Sequence, residues 1–198
     1  MKAAEQGSGI IRPHCFCISN QQGYSTLAIS GNPSSAGNQG STIVPKLANA
    51  ERLGDGFLRI MVETRTLDSI CLSQETIPSV IKIDVEGAEN LVVEGAQQTI
   101  NDHLPVIIFE CGWSRGDPVP QHFSFLTGLG YSMFCIDRMY VHSTWVEDRY
   151  PYLSPITEND FERAPTFLCN LLAIHPHQKE ALTRIASHIS SAGFLETI

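Results

Sequence analysis

The hydrophobic pattern changes period along the chain, and the change divides it. The first third carries short runs rich in β-formers. His14–Ser19 and Tyr24–Ser30 read as strands split by Asn20-Gln21-Gln22-Gly23, which has turn composition. Gly31–Ser41 is rich in Gly, Ser and Asn and reads as a surface loop, and Leu58–Thr64 reads as a further strand. Ser79–Val85 (SVIKIDV) is a short, mostly apolar run bounded by Pro78 and Gly87, the look of a strand buried on both faces. Over residues 88–101, Leu91, Val92, Gly95, Ala96 and Ile100 fall on one stripe and predict a helix packed on a sheet. Pro105–Glu110 predicts a second buried strand, Gln121–Leu129 a helix closed by Gly130, and Tyr131–Asp137 a third strand. Tyr140–Pro165 is irregular, with aromatic residues and prolines. Thr166–Ile174 then predicts a fourth strand and residues 178–192 a final amphipathic helix. Strands alternating with helices give an α/β sheet with right-handed crossovers. Residues 1–13 read as a loose leader before a single domain over 14–198.

Composition narrows the function. The 198 residues suffice for one domain with a real core, and 42% hydrophobic with 17% charged residues is ordinary for a globular protein. A net charge of -8 without a Lys/Arg cluster argues against a nucleic-acid partner. No apolar run approaches the ~20 residues that span a bilayer, and Met1–Pro13 does not read as a signal peptide. The expectation is a soluble, cytoplasmic protein with six reduced cysteines. His175-Pro176-His177 has no companion ligands at zinc-finger spacing and reads as exposed residues past a strand.

The chemistry concentrates in Ile81-Lys82-Ile83-Asp84-Val85-Glu86-Gly87-Ala88-Glu89. A strand delivers Asp84 and Glu86 at its carboxyl end and breaks at a glycine where a helix begins, the edge at which open α/β sheets bind ligands. Glu110 ends the next strand, at equal height if the two strands are parallel neighbours. Three converging carboxylates at the top of a dry sheet call for a cation or a hydrogen-bond donor: a sulfonium, a metal ion or a substrate hydroxyl. Purely structural roles stand beside this: Glu86 capping the helix, Glu89 on its exposed side, Glu110 bonded to backbone.

The stretch VIKIDVEGAENLVVEGAQQTINDHLPVIIFE strongly resembles the FkbM-family methyltransferases, with their K-I-D-V-E-G-A-E turn, Gly-Ala pair and Pro-led strand ending in Glu. Ile18–Gly23 with Leu27 resembles the family's hairpin after its third strand. Gly40-Ser41-Thr42 resembles its "G-S-S" loop, Thr66-Leu67-Asp68 its "T-L-D", and Asn170 sits in its terminal "N-L-L-A" strand. The resemblance covers about residues 14–175. It implies the carboxyl-terminal part of a Rossmann-like sheet with flanking helices. The implied reaction is S-adenosylmethionine-dependent methylation of a hydroxyl on a natural product or saccharide. Asp84 would lie near the methionine end of the cofactor, Glu86 and Glu110 on the acceptor side, and Cys17 and Ile18 near the adenine. Asp84 or Glu86 is the candidate base.

The family's Asp-x-Gly-Ala-Asn-x-Gly strand and the acidic strand after it have no counterpart in these residues, so the first two βα units are missing. The resemblance therefore implies a truncated gene product or gene model that binds the cofactor weakly or not at all. It also implies a bare edge on Ser79–Val85, open to self-association unless His14–Ile29 folds into the gap. The competing readings are a non-catalytic remnant serving as an interaction module, and a hydrolase holding Mg²⁺ or Ca²⁺ on Asp84, Glu86 and Glu110. The aromatic stretch Tyr140–Tyr152, with His142 and Trp145, would serve as a lid over the acceptor, and Arg115 would pair with the acids or hold an anionic acceptor.

Overall fold

The structure, a computed structural model, describes residues 10–30, 43, 57–114, 116–136, 140–141, 144–145, 154–163, 166–178, 180 and 183–184. The Gly31–Ser41 loop, Arg115, His142, most of the lid stretch and most of the 178–192 helix lie outside the described residues. Ten strands are described. They are β1 (Cys17–Ile18), β2 (Gly23–Ser30), β3 (Phe57–Arg65), β4 (Val80–Ile83), β5 (Val106–Ser114), β6 (Ser132–Cys135), β7 (Tyr140–Val141), β8 (Thr144–Trp145), β9 (Ser154–Ile156) and β10 (Thr166–Ile174). Between them run α1 (Leu67–Gln74), α2 (Glu89–Glu94), α3 (Gln97–His103), α4 (Gln121–Gly128) and α5 (Glu158–Arg163). The architecture is mixed α/β.

The larger sheet has the order β4-β5-β10-β6-β9. β4 and β5 are parallel, joined by the α2–α3 crossover, whereas β10 runs antiparallel to both β5 and β6. Alternation along β5 splits its side chains between two faces. Ile107, Phe109, Cys111 and Trp113 meet Val92, Val93, Ala96 and Ile100 of the α2–α3 segment and Phe123 and Leu126 of α4. Val106 and Ile108 instead join Leu172, Ile174 and Phe134 on the opposite face.

The smaller sheet has the order β1-β3-β2 and corrects one expectation. β1 and β2 do not form a hairpin with each other; β2 pairs antiparallel with β3, and β1 pairs parallel with the end of β3. Of the two alternatives for the edge beside β4, the bare edge is the one seen among the described residues, because residues 14–29 do not pair with it. β4 is an edge strand, not a strand buried on both faces: Ile83 is buried, but Val80 is 57% exposed and Lys82 is exposed. An apolar run reports affinity for a sheet, and cannot by itself report how many neighbours the strand acquires.

The helix expected over 88–101 is two helices, broken at Gly95-Ala96. A Cβ on Gly95 would stand 2.0 Å from the Ser19 carbonyl oxygen, so only glycine lets the chain after β1 approach this closely. Further bonds hold the junction: Asn20 donates to Glu94, and the Asp68 amide donates to the Gly95 carbonyl. Thr66 caps α1 by accepting from the Ser69 amide, and the Asp68 carboxylate caps α3 by accepting from the Gln98 and Thr99 amides. The Thr-Leu-Asp stretch thus starts one helix and caps another. Within the stretch expected to be irregular, the β7–β8 hairpin, β9 and α5 are formed.

Candidate active site at the carboxyl rim of the parallel strands

Parallel pairing in the register Ile83↔Phe109 sets Asp84 and Glu110 side by side where β4 ends. β5 does not end at Glu110 as expected but runs on to Ser114, held by its antiparallel pairing with β10. Glu86 reaches the same place because the chain turns back there. Its φ of 49° and the 89° of Gly87 place two successive residues in left-handed conformation. Glycine adopts this without penalty, but glutamate does not. Carboxylate oxygens of Asp84, Glu86 and Glu110 all lie within 4.8 Å of one another. The rim is open on the Asp84 side and half-buried at Glu86 and Glu110.

Electrostatics sort the three acids. Lys82 precedes Asp84 by two residues on the strand, and its Nζ lies 3.2 Å from Asp84 Oδ2. Glu110 is pushed above the ordinary carboxylate range, first by desolvation, then by the charges of Glu86, Asp84 and Glu89, with Lys82 opposing. It therefore holds a proton more tightly than a free glutamate. Glu89 is not on the exposed side of its helix. It is 8% exposed, and its Oε1 accepts from the Gly87 amide at 3.1 Å, bracing the turn that presents Glu86. It also stands in the first turn of α2, where the helix dipole favours an acid.

Below the rim a second polar contact fastens the supporting helices. Asn90 Oδ1, on α2, accepts from the His122 backbone amide at 2.9 Å and from His122 Nδ1 at 2.7 Å. The proton is thereby fixed on Nδ1. His122 Nε2 is then a bare acceptor, the only buried side-chain nitrogen or oxygen without a partner among the described residues. Its ring stands edge-on to Phe109, the residue before Glu110. Burial drives the His122 pKa down to about 4, so the ring is neutral at physiological pH.

The sequence reading named Asp84, Glu86 and Glu110, and these are brought together. Cys17 and Ile18 lie instead in the smaller sheet, paired with Thr64 and Arg65, and no hydrogen bond or ion pair among the described residues joins them to the acids. Ile18 packs on the main core, and burial raises the Cys17 thiol pKa. Two rim residues were missed. Lys82 could have been found, since residues two apart on a strand share a face. Asn170, opposite Glu110 in the β10–β5 register, could not, because its place depends on the antiparallel return of a distant strand. Two hollows lie elsewhere, one of about 310 Å³ between α1 and α3 and one of about 630 Å³ between α4 and β6–β9, and neither is lined by the three acids. His175 stands edge-on to Tyr131, and its Nδ1 accepts from the His177 amide, so it has a packing role.

The methyltransferase FkbM domain matches residues 3–133, and the chain belongs to that family of methyltransferases. No curated protein and no solved structure gives a match.

Proposed function

We propose that this protein transfers a methyl group from S-adenosylmethionine to a hydroxyl oxygen of a small molecule or saccharide, on a Rossmann-like sheet. The convergence of Asp84, Glu86 and Glu110 within 4.8 Å carries the reading. The donor set fits a cation: three carboxylates surround one point, with the single ammonium of Lys82 beside Asp84. S-adenosylmethionine, when bound, supplies a methyl group on a positively charged sulfur. Asp84, at the open side of the trio, is suited to hold the cationic end of that donor. Glu86 and Glu110 face the acceptor.

The residues of the chain then have two tasks. They align the acceptor oxygen with the methyl carbon, which supplies most of the acceleration. They also remove the hydroxyl proton, and Glu110 is suited to take it because desolvation and neighbouring acids raise its basicity. Asn170, across the strand pair, is placed to orient that carboxylate. A carboxylate trio of this spacing would also take a divalent cation. The family match favours methyl transfer over metal-dependent hydrolysis. A cytoplasmic setting agrees with six free cysteines, and among the described residues no helix is long and apolar enough to cross a membrane.

The test uses methyl-labelled S-adenosylmethionine at high concentration with a panel of hydroxylated acceptors. Glu110→Gln is expected to slow label transfer by about 10²- to 10⁴-fold. Asp84→Asn should weaken the donor affinity seen by calorimetry, itself expected to be weak. Full turnover in both Glu110→Gln and Glu86→Gln would overturn the assignment.

A further inference from the structure

Six strands leave an open edge among the described residues: β1 and β2 flank the smaller sheet, β4 and β9 the larger, and β7 and β8, two residues each, pair only with one another. An open edge is a row of unpaired N–H and C=O groups, and proteins guard such rows with brevity, charge or proline. β1 is two residues long. β9 is three residues long with Pro155 at its centre. β4 is four residues long and carries Lys82 against Asp84. β2 has none of these guards. It runs for eight residues, Gly23–Ser30, with no charged residue and no proline. Tyr24 on β2 is 73% exposed, and Met61, paired with Thr26 and on the same face as Tyr24, is 78% exposed.

We propose that β2 is a self-association edge, at which a second copy of this chain adds its own β2 antiparallel and joins two three-stranded sheets into one. The occupant follows from charge and symmetry. At -8, two copies repel over most of their surfaces, and β2 is an eight-residue stretch where they approach without opposing like charges. A charged foreign segment would find no counter-charge on this strand. An antiparallel pair relates a strand to itself by a two-fold axis, the commonest symmetry of homodimers. Every residue across the axis is then uncharged, and Tyr24 of both copies meets near the seam while Glu63 and Arg59 stand one strand back on β3. The expectation from sequence placed self-association on the edge of Ser79–Val85; the guarded charge pair there moves it to β2.

Sedimentation equilibrium of the full chain tests this. A dimer is expected whose association strengthens with salt, because salt screens the repulsion of two acidic bodies. Pairing through the Lys82–Asp84 edge would instead weaken with salt. Thr26 is exposed, so Thr26→Lys leaves the fold intact by circular dichroism while setting like charges near the axis, and should weaken association about tenfold or more. Mixing Thr26→Lys with Thr26→Glu should restore it, and Val80→Lys on β4 should leave it unchanged. A chain that remains monomeric at every concentration overturns the proposal and leaves β2 to a different occupant. A dimer broken by Val80→Lys but not by Thr26→Lys overturns it as well.

Discussion

Beyond the end of β4 and beside the middle of β5, acids crowd at the solvent boundary, a glutamate occupies a left-handed turn, and Glu110 resists ionisation. Along the same strands, Ile107 and Phe109 are fully buried against Ile100, Phe123 and Leu126, with every residue in the kind of environment its side chain favours. The rim departs from what stability alone would choose, and the layer beneath it does so only at His122, whose buried Nε2 has no partner among the described residues. The contrast teaches that the folding energy comes from the helical layer, which holds the rim in an arrangement it would not adopt alone. Breaking the layer should therefore cost far more than neutralising the rim.

The largest effect is expected from Phe109→Ala, which empties a fully buried ring site and should lower the stability measured by denaturant titration by about 3–5 kcal/mol. Gly95→Val comes next. It drives a side chain into the Ser19 carbonyl and should cost about 3 kcal/mol, read as a lower midpoint with the contact of the smaller sheet loosened first. A pH titration of stability sharpens the comparison at the boundary between the two regions. His122 has its pKa depressed to about 4, so its contribution is fully present above the unfolded value of 6.5 and is lost as pH falls through about 4. The loss should approach about 3 kcal/mol, and His122→Phe should flatten that slope. The smallest effect lies at the rim. Glu110 has its pKa raised, so its favourable contribution is present at low pH and fades as pH climbs through the raised value. Glu110→Gln should remove that drift and leave stability at neutral pH equal or slightly higher. A rim substitution that destabilised the protein as much as Phe109→Ala would erase the contrast.

Much of this was legible in the sequence where the information is local. The run of β-branched residues before Asp84, the Gly87 break and the Pro-led strand carrying Glu110 located the rim, because strand, turn and helix chemistry are written residue by residue, whereas the extension of that strand to Ser114 was not legible. Pairing was legible only in part. That β5 lies parallel to β4 follows from the crossover between them, whereas β1 joining β3 rather than β2 depends on contacts across many residues. The helix over 88–101 was expected to be continuous because its apolar stripe crosses Gly95-Ala96 without a change of phase. The break reflects a neighbour, Ser19, that no periodicity can announce. His122 reads as one of seven scattered histidines, and its burial emerges only once α4 is laid against α2 and Phe109.

Glu86 holds a left-handed backbone outside any helix terminus, whereas Glu75 and Leu104, the other described non-glycine residues of that kind, each close a helix. This separates geometry from reactivity at one position. Glycine there would relax the main chain while deleting the carboxylate, so Glu86→Gly should yield a protein as sturdy as the parent but impaired in turnover. The strain of the turn is thereby tied to the carboxylate that it presents.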